Sequence, residues 1–512
     1  MKPSERIVVN TIILYSKLLI TIVVNLYATR LILLSLGVED YGIVNLISGI
    51  VAMLSFVQNS MTVSTQRYLS VKIGEKDIAG QSEVFNTSFI LHISLAIIIL
   101  VILECCYPLV FNSTVNIPEH RIASAQILYQ LMIAGTALVV VTVPFDATLN
   151  AHENMLWFSI ASIIESLIRL AGAIMLISYS HDKLIFYGFL IIAIRLASMI
   201  VKVTYCELHY VDSRLSLNKC RRSLIREMFA FSFWNLFGAF ASAVRGQGIA
   251  VVLNIFRGIT INAAYGIAHQ VSGQLSNFSA TITKAMAPQI MQSKGAGEEQ
   301  KMITKSLKQS KFTFALMSMF ALPLLIDTDY ILALWLKDVP PDAAIFCKLI
   351  ILVAMVTQLS SGLMTLIQAN GKINSYQVTM SAIILLSIPL AILVLWLGFP
   401  GYYVIIVMLA IEMICFIIRL LFAHRLVGLS LNYAMRELCV PVLFLSLSGA
   451  IAYYLISSFC TLVEYNSLFV FIVHLMLSEI VVFTVVVLCV LTQQEKLLIK
   501  QMLQHTFQKN KH

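Results

Sequence analysis

Charged residues are scarce in this chain of 512 residues. Asp, Glu, Lys and Arg together make up 12% of it, whereas hydrophobic residues make up 59%. An ordinary soluble protein has roughly 25% charged residues, and a chain with so few could not cover its apolar core with a polar surface. The composition therefore excludes soluble enzymes, nucleic-acid-binding proteins and disordered chains. It indicates a membrane protein that crosses the bilayer many times.

The sequence also lacks the patterns of a metal site, a disulfide framework or a nucleotide site. Most of its nine cysteines lie in apolar runs, and no Cys-x-x-Cys pair or Cys/His ligand spacing occurs. No phosphate-binding loop is present, and no loop exceeds roughly 20 residues. We therefore expect no enzymatic activity, no metal and no cofactor, and we consider only H+ or Na+ as a candidate coupling ion.

Long apolar runs predict an all-α integral membrane fold. A helix needs about 20 apolar residues to cross the hydrocarbon, and the chain has about 14 runs of that kind. The predicted spans lie near residues 7–35, 43–64, 84–104, 123–146, 156–179, 185–206, 228–253, 262–286, 307–327, 345–369, 376–397, 402–423, 438–458 and 467–491.

Basic residues are concentrated in alternate loops. With these spans, the side of the membrane that holds both termini has roughly four times as many Lys and Arg residues as the other side. Because basic loops remain in the cytoplasm, both termini are predicted to be cytoplasmic.

The helix pattern predicts five segments along the chain. They are an N-lobe of six helices (1–212), a basic cytoplasmic linker (213–227), a C-lobe of six helices (228–430), two further helices (431–491) and a cytoplasmic amphipathic tail (492–512).

The two lobes are predicted to be a parallel repeat. Tyr41-Gly42-Ile43 and Ser48-Gly49 recur with the same internal spacing as Tyr265-Gly266-Ile267 and Ser272-Gly273. Leu36-Gly37 resembles Arg257-Gly258 after a further shift of three residues. The following helices carry small or polar residues in the same helical register, which unrelated apolar helices would rarely share. Two pseudo-symmetric lobes that enclose a cavity suit a transporter with alternating access.

Polar and basic residues form a seam along two of the predicted spans. Asn10, Lys17, Thr21 and Asn25 share one helical face, and Asn235, Gly238, Ser242 and Arg245 share another. A cation in an apolar span usually faces a wet cavity or a counter-charge. We therefore predict a cationic lumen that favours an anion. Its candidate substrate-binding residues are Lys17, Arg245, Arg30 and Arg257, and its polar seam is Asn25, Asn45, Asn59, Asn235 and His269.

Acidic residues within the spans are the candidates for ion coupling. They are Asp146, Glu412 and Glu479. Glu165 and Arg169 are four residues apart on one predicted helix, so a local ion pair is expected there.

Three short motifs resemble those of a known family. The segment Leu36-Gly37-Val38-Glu39-Asp40-Tyr41-Gly42 is similar to the leucine–glycine…tyrosine–glycine signature of polysaccharide exporters and O-antigen flippases. Pro144 to Ala151 and Leu363 to Gly371 are similar to other regions of that family. The family belongs to the multidrug/oligosaccharidyl-lipid/polysaccharide exporter superfamily.

The resemblance implies a function. Two six-helix lobes would form a V-shaped cavity in the bacterial inner membrane and turn an undecaprenyl-pyrophosphate-linked oligosaccharide to the outer leaflet. The product would be a surface polysaccharide such as O-antigen, the glycan part of lipopolysaccharide, or capsule or exopolysaccharide. Membrane lipids and the polymerase and chain-length machinery are the expected partners, with no nucleic acid.

Two alternatives remain open at this point. A multidrug exporter of the same superfamily would share the fold but would bind organic cations through carboxylates. A membrane-bound polysaccharide polymerase or ligase would usually carry a large outer loop, which the spacing of the spans does not leave room for.

Overall fold

A computed structural model of the protein describes residues 3–52, 55–111, 117–216, 219–336, 338–460, 468–493 and 495–496. Within these ranges the chain is helical and contains no β-strand. The contacts divide it into two compact units. The N-unit comprises Arg6–Leu236 and Met291–Gly297, and the C-unit comprises Met1–Glu5, Phe237–Ile290 and Glu298–His512. This division into two units does not test the boundaries of the five predicted segments, which stay a prediction.

Seventeen α-helices follow one another through the described residues. The first six are α1 (Pro3–Ala52), α2 (Ser55–Gly74), α3 (Ile78–Leu109), α4 (Ile122–Ala151), α5 (Met155–Ser178) and α6 (Lys183–His209). The division between the units falls within the next two, α7 (Arg222–Arg257) and α8 (Ile259–Gly295). The others are α9 (Glu299–Ile326), α10 (Thr328–Trp335), α11 (Ala343–Leu359), α12 (Ser361–Asn370), α13 (Asn374–Leu385), α14 (Ser387–Trp396), α15 (Tyr403–Val427), α16 (Leu431–Cys460) and α17 (Leu468–Val485).

The predicted membrane fold class is confirmed. In the described parts of the chain, 12 helical stretches are long and apolar enough to cross a membrane, and each coincides with a predicted span. The two other predicted spans, 43–64 and 262–286, are helical where described but are not among the 12. The span 43–64 includes residues 53–54, which lie outside the described residues. The span 262–286 carries a stripe of small and polar residues, which lowers its hydropathy.

In the N-unit, α4 is the central helix. Half of its span is buried, against 17–28% for the unit's other apolar spans. Tyr129 of α4 is fully buried and donates a 2.6 Å hydrogen bond to the carbonyl of Leu103 in α3. The basic linker packs on α3 as well, since the amide of Ser216 donates to Asn86 Oδ1 at 2.6 Å. The linker is therefore ordered on the N-unit where it is described.

In the C-unit, α9 has the corresponding central place, with 61% of its span buried. Its polar residues contact α12 directly. Thr313 and Ser361 hydroxyls lie 2.8 Å apart, and Gln309 donates to Thr365 at 2.9 Å. The backbones approach so closely that a Cβ on Gly362 would lie 1.8 Å from the carbonyl oxygen of Ser306. Only glycine fits there.

The structure changes the register of the predicted repeat. Gly37 and Gly258 have φ values of 77° and 82°, and each interrupts a long helical stretch, which makes them equivalent positions. The helices that follow end at Gly74 and Gly295, which keep the same register. In this register the second repeat begins three residues earlier than the short motifs had predicted. The stripes of small and polar residues still matched in the predicted register, because residues three apart lie on the same helical face.

The ends of α2 and α8 cross at two glycines within the N-unit. A Cβ on Gly74 would lie 2.0 Å from the carbonyl oxygen of Gln292, and one on Gly295 would lie 2.0 Å from that of Val71. Val71 and Gln292 are also equivalent positions in the register of the structure, so the crossing is locally symmetric.

We expect Gly74→Ala and Gly295→Ala each to destabilise the protein by about 1–3 kcal/mol, because the added methyl would force two backbones apart. Thermal unfolding in detergent measures this. Gly49 is the matched control, since a Cβ there meets nothing within 4 Å. An alanine at Gly49 should leave the unfolding temperature unchanged or raise it slightly. Equal behaviour of the three variants would contradict the tight crossing.

Beyond the last span, Glu495 anchors the chain to α9. The Thr492 amide donates to Glu495 Oε2 at 2.9 Å and the Glu495 amide approaches Thr492 Oγ1 at 3.4 Å, which is a capping box. Glu495 also accepts a 2.8 Å bond from the buried amine of Lys311. The predicted amphipathic tail, 492–512, stays a prediction, because its residues after Lys496 lie outside the described residues.

Glu495→Gln should destabilise the protein by about 1–3 kcal/mol at neutral pH, because the buried charge of Lys311 would lose its counter-ion. Burial alone would raise the pKa of Glu495, but the bonds from Lys311 and the Thr492 backbone outweigh it and lower the pKa below its ordinary value of 4.5. The ion pair therefore stabilises the fold fully above pH 4.5, the ordinary pKa, and this stabilisation is lost as the pH falls through the lowered pKa. The gap in unfolding temperature between wild type and variant should shrink on acidification; a constant gap would contradict the assignment.

Candidate functional site

A cluster of charges lies inside the N-unit, where four apolar helices meet. Lys202 of α6 binds Asp146 of α4 at 3.0 Å and Glu165 of α5 at 3.7 Å. The amines of Lys17 on α1 and Lys202 lie 5.3 and 5.9 Å from the centre of the Phe158 ring. The predicted cation Lys17 is thus brought close to one of the predicted coupling residues, Asp146, with a second lysine between two carboxylates.

The charges of this cluster nearly compensate one another. Lys17 and Glu165 interact electrostatically, and Glu165 also accepts a short hydrogen bond from the Ser198 hydroxyl. The helical spacing had predicted an ion pair between Glu165 and Arg169. In the structure, Glu165 instead pairs with Lys202. A buried lysine on the adjacent helix gains more from that carboxylate than a partly exposed arginine on the same helix would.

Lys202 is the functional candidate that the sequence analysis missed. It lies within the predicted span 185–206 and is 8% exposed. The signal was the same as for Lys17, a lone cation in an apolar run. It was overlooked because no polar stripe accompanies it.

In the C-unit, a buried triad holds the other predicted lumen cation. Arg245 of α7 lies 3.3 Å from Glu412 of α15. Arg419, which is also in α15, lies 2.7 Å from Glu412. The side chains of Glu412 and Arg419 are 2% and 5% exposed, whereas that of Arg245 is 17% exposed. Arg245 is therefore half of a shared ion pair and not a bare cation, and the triad has a net charge of about +1.

The two arginines predicted for the outer mouth differ in their contacts. Arg30 is exposed on α1. Arg257, at the end of α7, donates a short hydrogen bond to the backbone carbonyl of Phe399. Among the described residues of each unit, Arg30 forms no ion pair with a residue that also binds Lys17, and Arg257 forms none with a residue that binds Arg245.

The predicted polar seam is mixed in its environment. Asn25 is half-buried, Asn45 is exposed, and the side chain of Asn59 lies outside the described residues. Asn235 is buried and donates to the Phe231 carbonyl of its own helix at 3.1 Å.

His269, the last seam residue, is exposed on α8. Its ring packs edge-on against Tyr265 with the centres 4.4 Å apart.

The three acidic coupling candidates fall into two groups. Asp146 and Glu412 each contact a buried cation in an ion pair. Glu479 of α17 is half-buried and borders an apolar cavity, and the described residues give it no ion-pair partner. Among those residues, no group of three His, Cys, Asp or Glu side chains is placed to hold a metal ion.

The leucine–glycine…tyrosine–glycine motif has a structural role that the geometry makes plain. Asp40 of the motif accepts a short hydrogen bond from Arg121, which also lies 3.1 Å from Asp182. Asp182 in turn caps α6 by accepting from the Leu184 amide at 2.9 Å. The motif therefore links the bend at Gly37 to the start of two other helices of the N-unit.

Comparison with known proteins identifies the family. The model of the family described as "Polysaccharide biosynthesis protein" matches residues 5–294, more than half of the chain. The chain belongs to this family, which confirms the predicted relationship to polysaccharide exporters. Among curated proteins, none matches the chain by sequence.

Solved structures show the same fold at low sequence identity. A MATE protein in the bent conformation is 13% identical, with a TM-score of 0.74 over 83% of this chain and 96% of that one. An outward-facing multidrug resistance MATE family transporter of the MOP superfamily is 14% identical, with a TM-score of 0.70 over 84% of this chain and 96% of that one. A MOP superfamily transporter from Pyrococcus furiosus, for which a reverse polarity of the binding pocket is described, is 14% identical, with a TM-score of 0.70 over 83% of this chain and 97% of that one. The fold is that of a membrane transporter.

Removal of Lys202 should be more damaging than removal of Lys17. Lys202→Met leaves Asp146 and Glu165 without their closest cation, which should cost about 3–5 kcal/mol in unfolding free energy. Adding Asp146→Asn should restore part of that loss, because one of the unpaired carboxylates is removed. Thermal unfolding of the two variants and of Lys17→Met provides the comparison. Equal losses for Lys17→Met and Lys202→Met would contradict this account of the cluster.

Proposed function

We propose that the protein is a flippase that translocates undecaprenyl-pyrophosphate-linked oligosaccharide units across the inner membrane by alternating access, for surface polysaccharide synthesis. Its family supports a role in polysaccharide production, and its fold supports transport. The observation that carries the proposal is the charge cluster around Phe158, which places two lysines within apolar helices of the N-unit. Such groups are costly there and usually serve a substrate or an ion.

A pyrophosphate is an anion that cannot enter hydrocarbon without replacement of its hydration shell. Lys17 is suited to this role, because the described residues place no carboxylate within ion-pair distance of its amine and it contacts the Phe158 ring instead. A cation–π contact at such a distance is worth only about 0.5–2 kcal/mol, so an arriving phosphate can replace it. Lys202 is already held by two carboxylates and keeps the cluster assembled.

Arg245 can serve an anion in the C-unit by exchange of partners. Glu412 lies closer to Arg419 (2.7 Å) than to Arg245 (3.3 Å). When Arg245 turns to a phosphate or an acidic sugar, Glu412 therefore keeps a counter-ion, and no buried carboxylate is left unpaired. Arg419 has a positioning role in this proposal.

The finer assignments belong to the same proposal. O-antigen, capsule and exopolysaccharide units are candidate cargoes. H+ or Na+ is the candidate coupling ion, and the polymerase and chain-length proteins are the candidate partners. Cytoplasmic termini follow from the basic loops. No change of bond connectivity is proposed.

Lys17→Ala should lower surface polysaccharide at least about tenfold when it replaces the wild-type protein at equal membrane abundance, because one phosphate contact to a charged group contributes about 1.5–3 kcal/mol. Lys17→Arg should retain most export, since the charge remains. Arg245→Ala and Arg245→Lys should behave in the same order.

The matched control is Lys301→Ala, because Lys301 is an exposed lysine whose side chain is 66% exposed. It should export normally. A direct measurement of undecaprenyl pyrophosphate binding to the purified variants separates lost binding from lost turnover. Normal export by Lys17→Ala and Arg245→Ala would refute the proposal that these cations bind the cargo.

A further inference from the structure

The basic linker between α6 and α7 forms a positively charged patch on the N-unit. Within residues 213–227 there are five basic residues and one acid, Glu227. The basic residues, all of them exposed, are Arg214, Lys219, Arg221, Arg222 and Arg226. None of them belongs to the charge cluster around Phe158. The proposed function therefore leaves this patch unexplained.

Most of the charge in the linker has no counter-ion on the protein. In the part of the chain that the structure describes, Arg221 lies 3.8 Å from Glu83, whereas Arg214, Arg222 and Arg226 form no ion pair. The helix α7 begins at Arg222, and its first turn contains no acidic residue. Because the start of a helix has a partial positive charge, these arginines add to that charge. An anion from outside the protein is needed to offset it.

The linker is held in a fixed conformation against α3. The Ser216 amide donates to Asn86 Oδ1 at 2.6 Å, and Asn86 Nδ2 donates to the Arg214 carbonyl at 3.3 Å. The Arg221 amide donates to Thr87 Oγ1 at 3.4 Å. A linker that served only as a basic signal for membrane orientation would need no such bonds. A fixed backbone lowers the entropy that the arginines lose when they bind a ligand.

The residues just before the linker turn their acid inward. Asp212 is buried, and its Oδ2 lies 3.1 Å from His152 Nε2. The His152 ring stacks on that of Tyr210, with the centres 4.1 Å apart, and the Ser213 hydroxyl donates to the Cys206 carbonyl at 2.8 Å. The nearest acid in the chain is therefore directed away from the exposed arginines.

Exposed apolar side chains accompany the basic ones. Both α6 and α7 are long and apolar enough to cross a membrane, so the short linker between them lies at the membrane surface. Leu208, Val211 and Leu215 are 72%, 63% and 45% exposed. Cations beside apolar side chains are typical of segments that lie in the membrane interface. The combination fits a lipid, because a lipid presents a phosphate and an acyl chain together.

We infer that the linker is a binding site for the phosphate headgroups of anionic phospholipids. The guanidinium groups of Arg214 and Arg222 pair with the phosphate oxygens, and Leu215 contacts the acyl region. The bound headgroup supplies the counter-charge that the start of α7 lacks. The inference does not depend on the proposed flippase function, which uses neither the linker nor a phospholipid.

The test titrates the purified full-length protein, in a neutral detergent, with short-chain phosphatidylglycerol and with short-chain phosphatidylcholine, and calorimetry measures the binding. A basic residue near an anionic lipid surface strengthens binding about fivefold. The double variant Arg214→Gln/Arg222→Gln should therefore bind phosphatidylglycerol at least tenfold more weakly. Arg214→Lys/Arg222→Lys, which keeps both charges, should retain most of the affinity.

The matched control is Lys301→Gln. Lys301 is also exposed and basic, but Glu298 lies 2.6 Å from its amine. This variant should bind phosphatidylglycerol as the wild type does.

Three results would overturn the inference. The first is equal affinity of the wild type and the double glutamine variant for phosphatidylglycerol. The second is equal affinity of the wild type for phosphatidylcholine, which would mean that the negative charge is not recognised. The third is equal affinity for free glycerol phosphate, which would make the linker a site for a soluble phosphate. Complete displacement of phosphatidylglycerol by an equimolar amount of undecaprenyl pyrophosphate would also contradict it, because the linker would then be a site for the cargo.

Discussion

A charge in an apolar helix is stable only where another group replaces the water that it gives up. This constraint organises both units. In the N-unit, Lys202 satisfies Asp146 and Glu165 together. In the C-unit, Glu412 satisfies two arginines. The N-unit cluster balances two lysines against two carboxylates, and the C-unit triad keeps a net charge of about +1. The anion attraction that the sequence suggested is therefore moderated.

The moderation has a chemical advantage for a transporter. A lone buried cation would bind a pyrophosphate strongly and release it slowly. A cation that shares a carboxylate exchanges one partner for another, so the difference in free energy between its empty and loaded states is smaller. Arg245 has this property because Arg419 keeps Glu412 neutralised. Lys17 has it by another route, since its described contact is with an aromatic ring.

Much of the fold could be predicted because membrane spans follow from length and hydropathy alone. The predicted span 262–286, which is not among the 12, shows the limit of that signal, since a helix with a polar stripe resembles a surface helix. The register of the repeat was wrong by three residues because short side-chain matches constrain a helical face but not the position along it. The bends at Gly37 and Gly258 locate that position, and they depend on backbone angles that composition does not reveal.

The site was predictable only in part. Lys17, Asp146, Arg245 and Glu412 could be singled out, since each is an ionisable residue in an apolar run. Which of them meet could not be predicted, because partners on different helices depend on helix rotation and packing. Lys202 illustrates this, as its importance comes from two carboxylates that lie far from it in the chain.

The glycine crossing at the end of α8 has a consequence for the modularity of the protein. Residues 291–297 come after the start of the second repeat in the chain, yet they pack within the N-unit. Because residues 291–297 complete the N-unit, a gene divided in the linker near residue 215 would encode no complete N-unit in either half. Each fragment would be an unfinished module, and the two repeats could not have served as independent folding units in their present form.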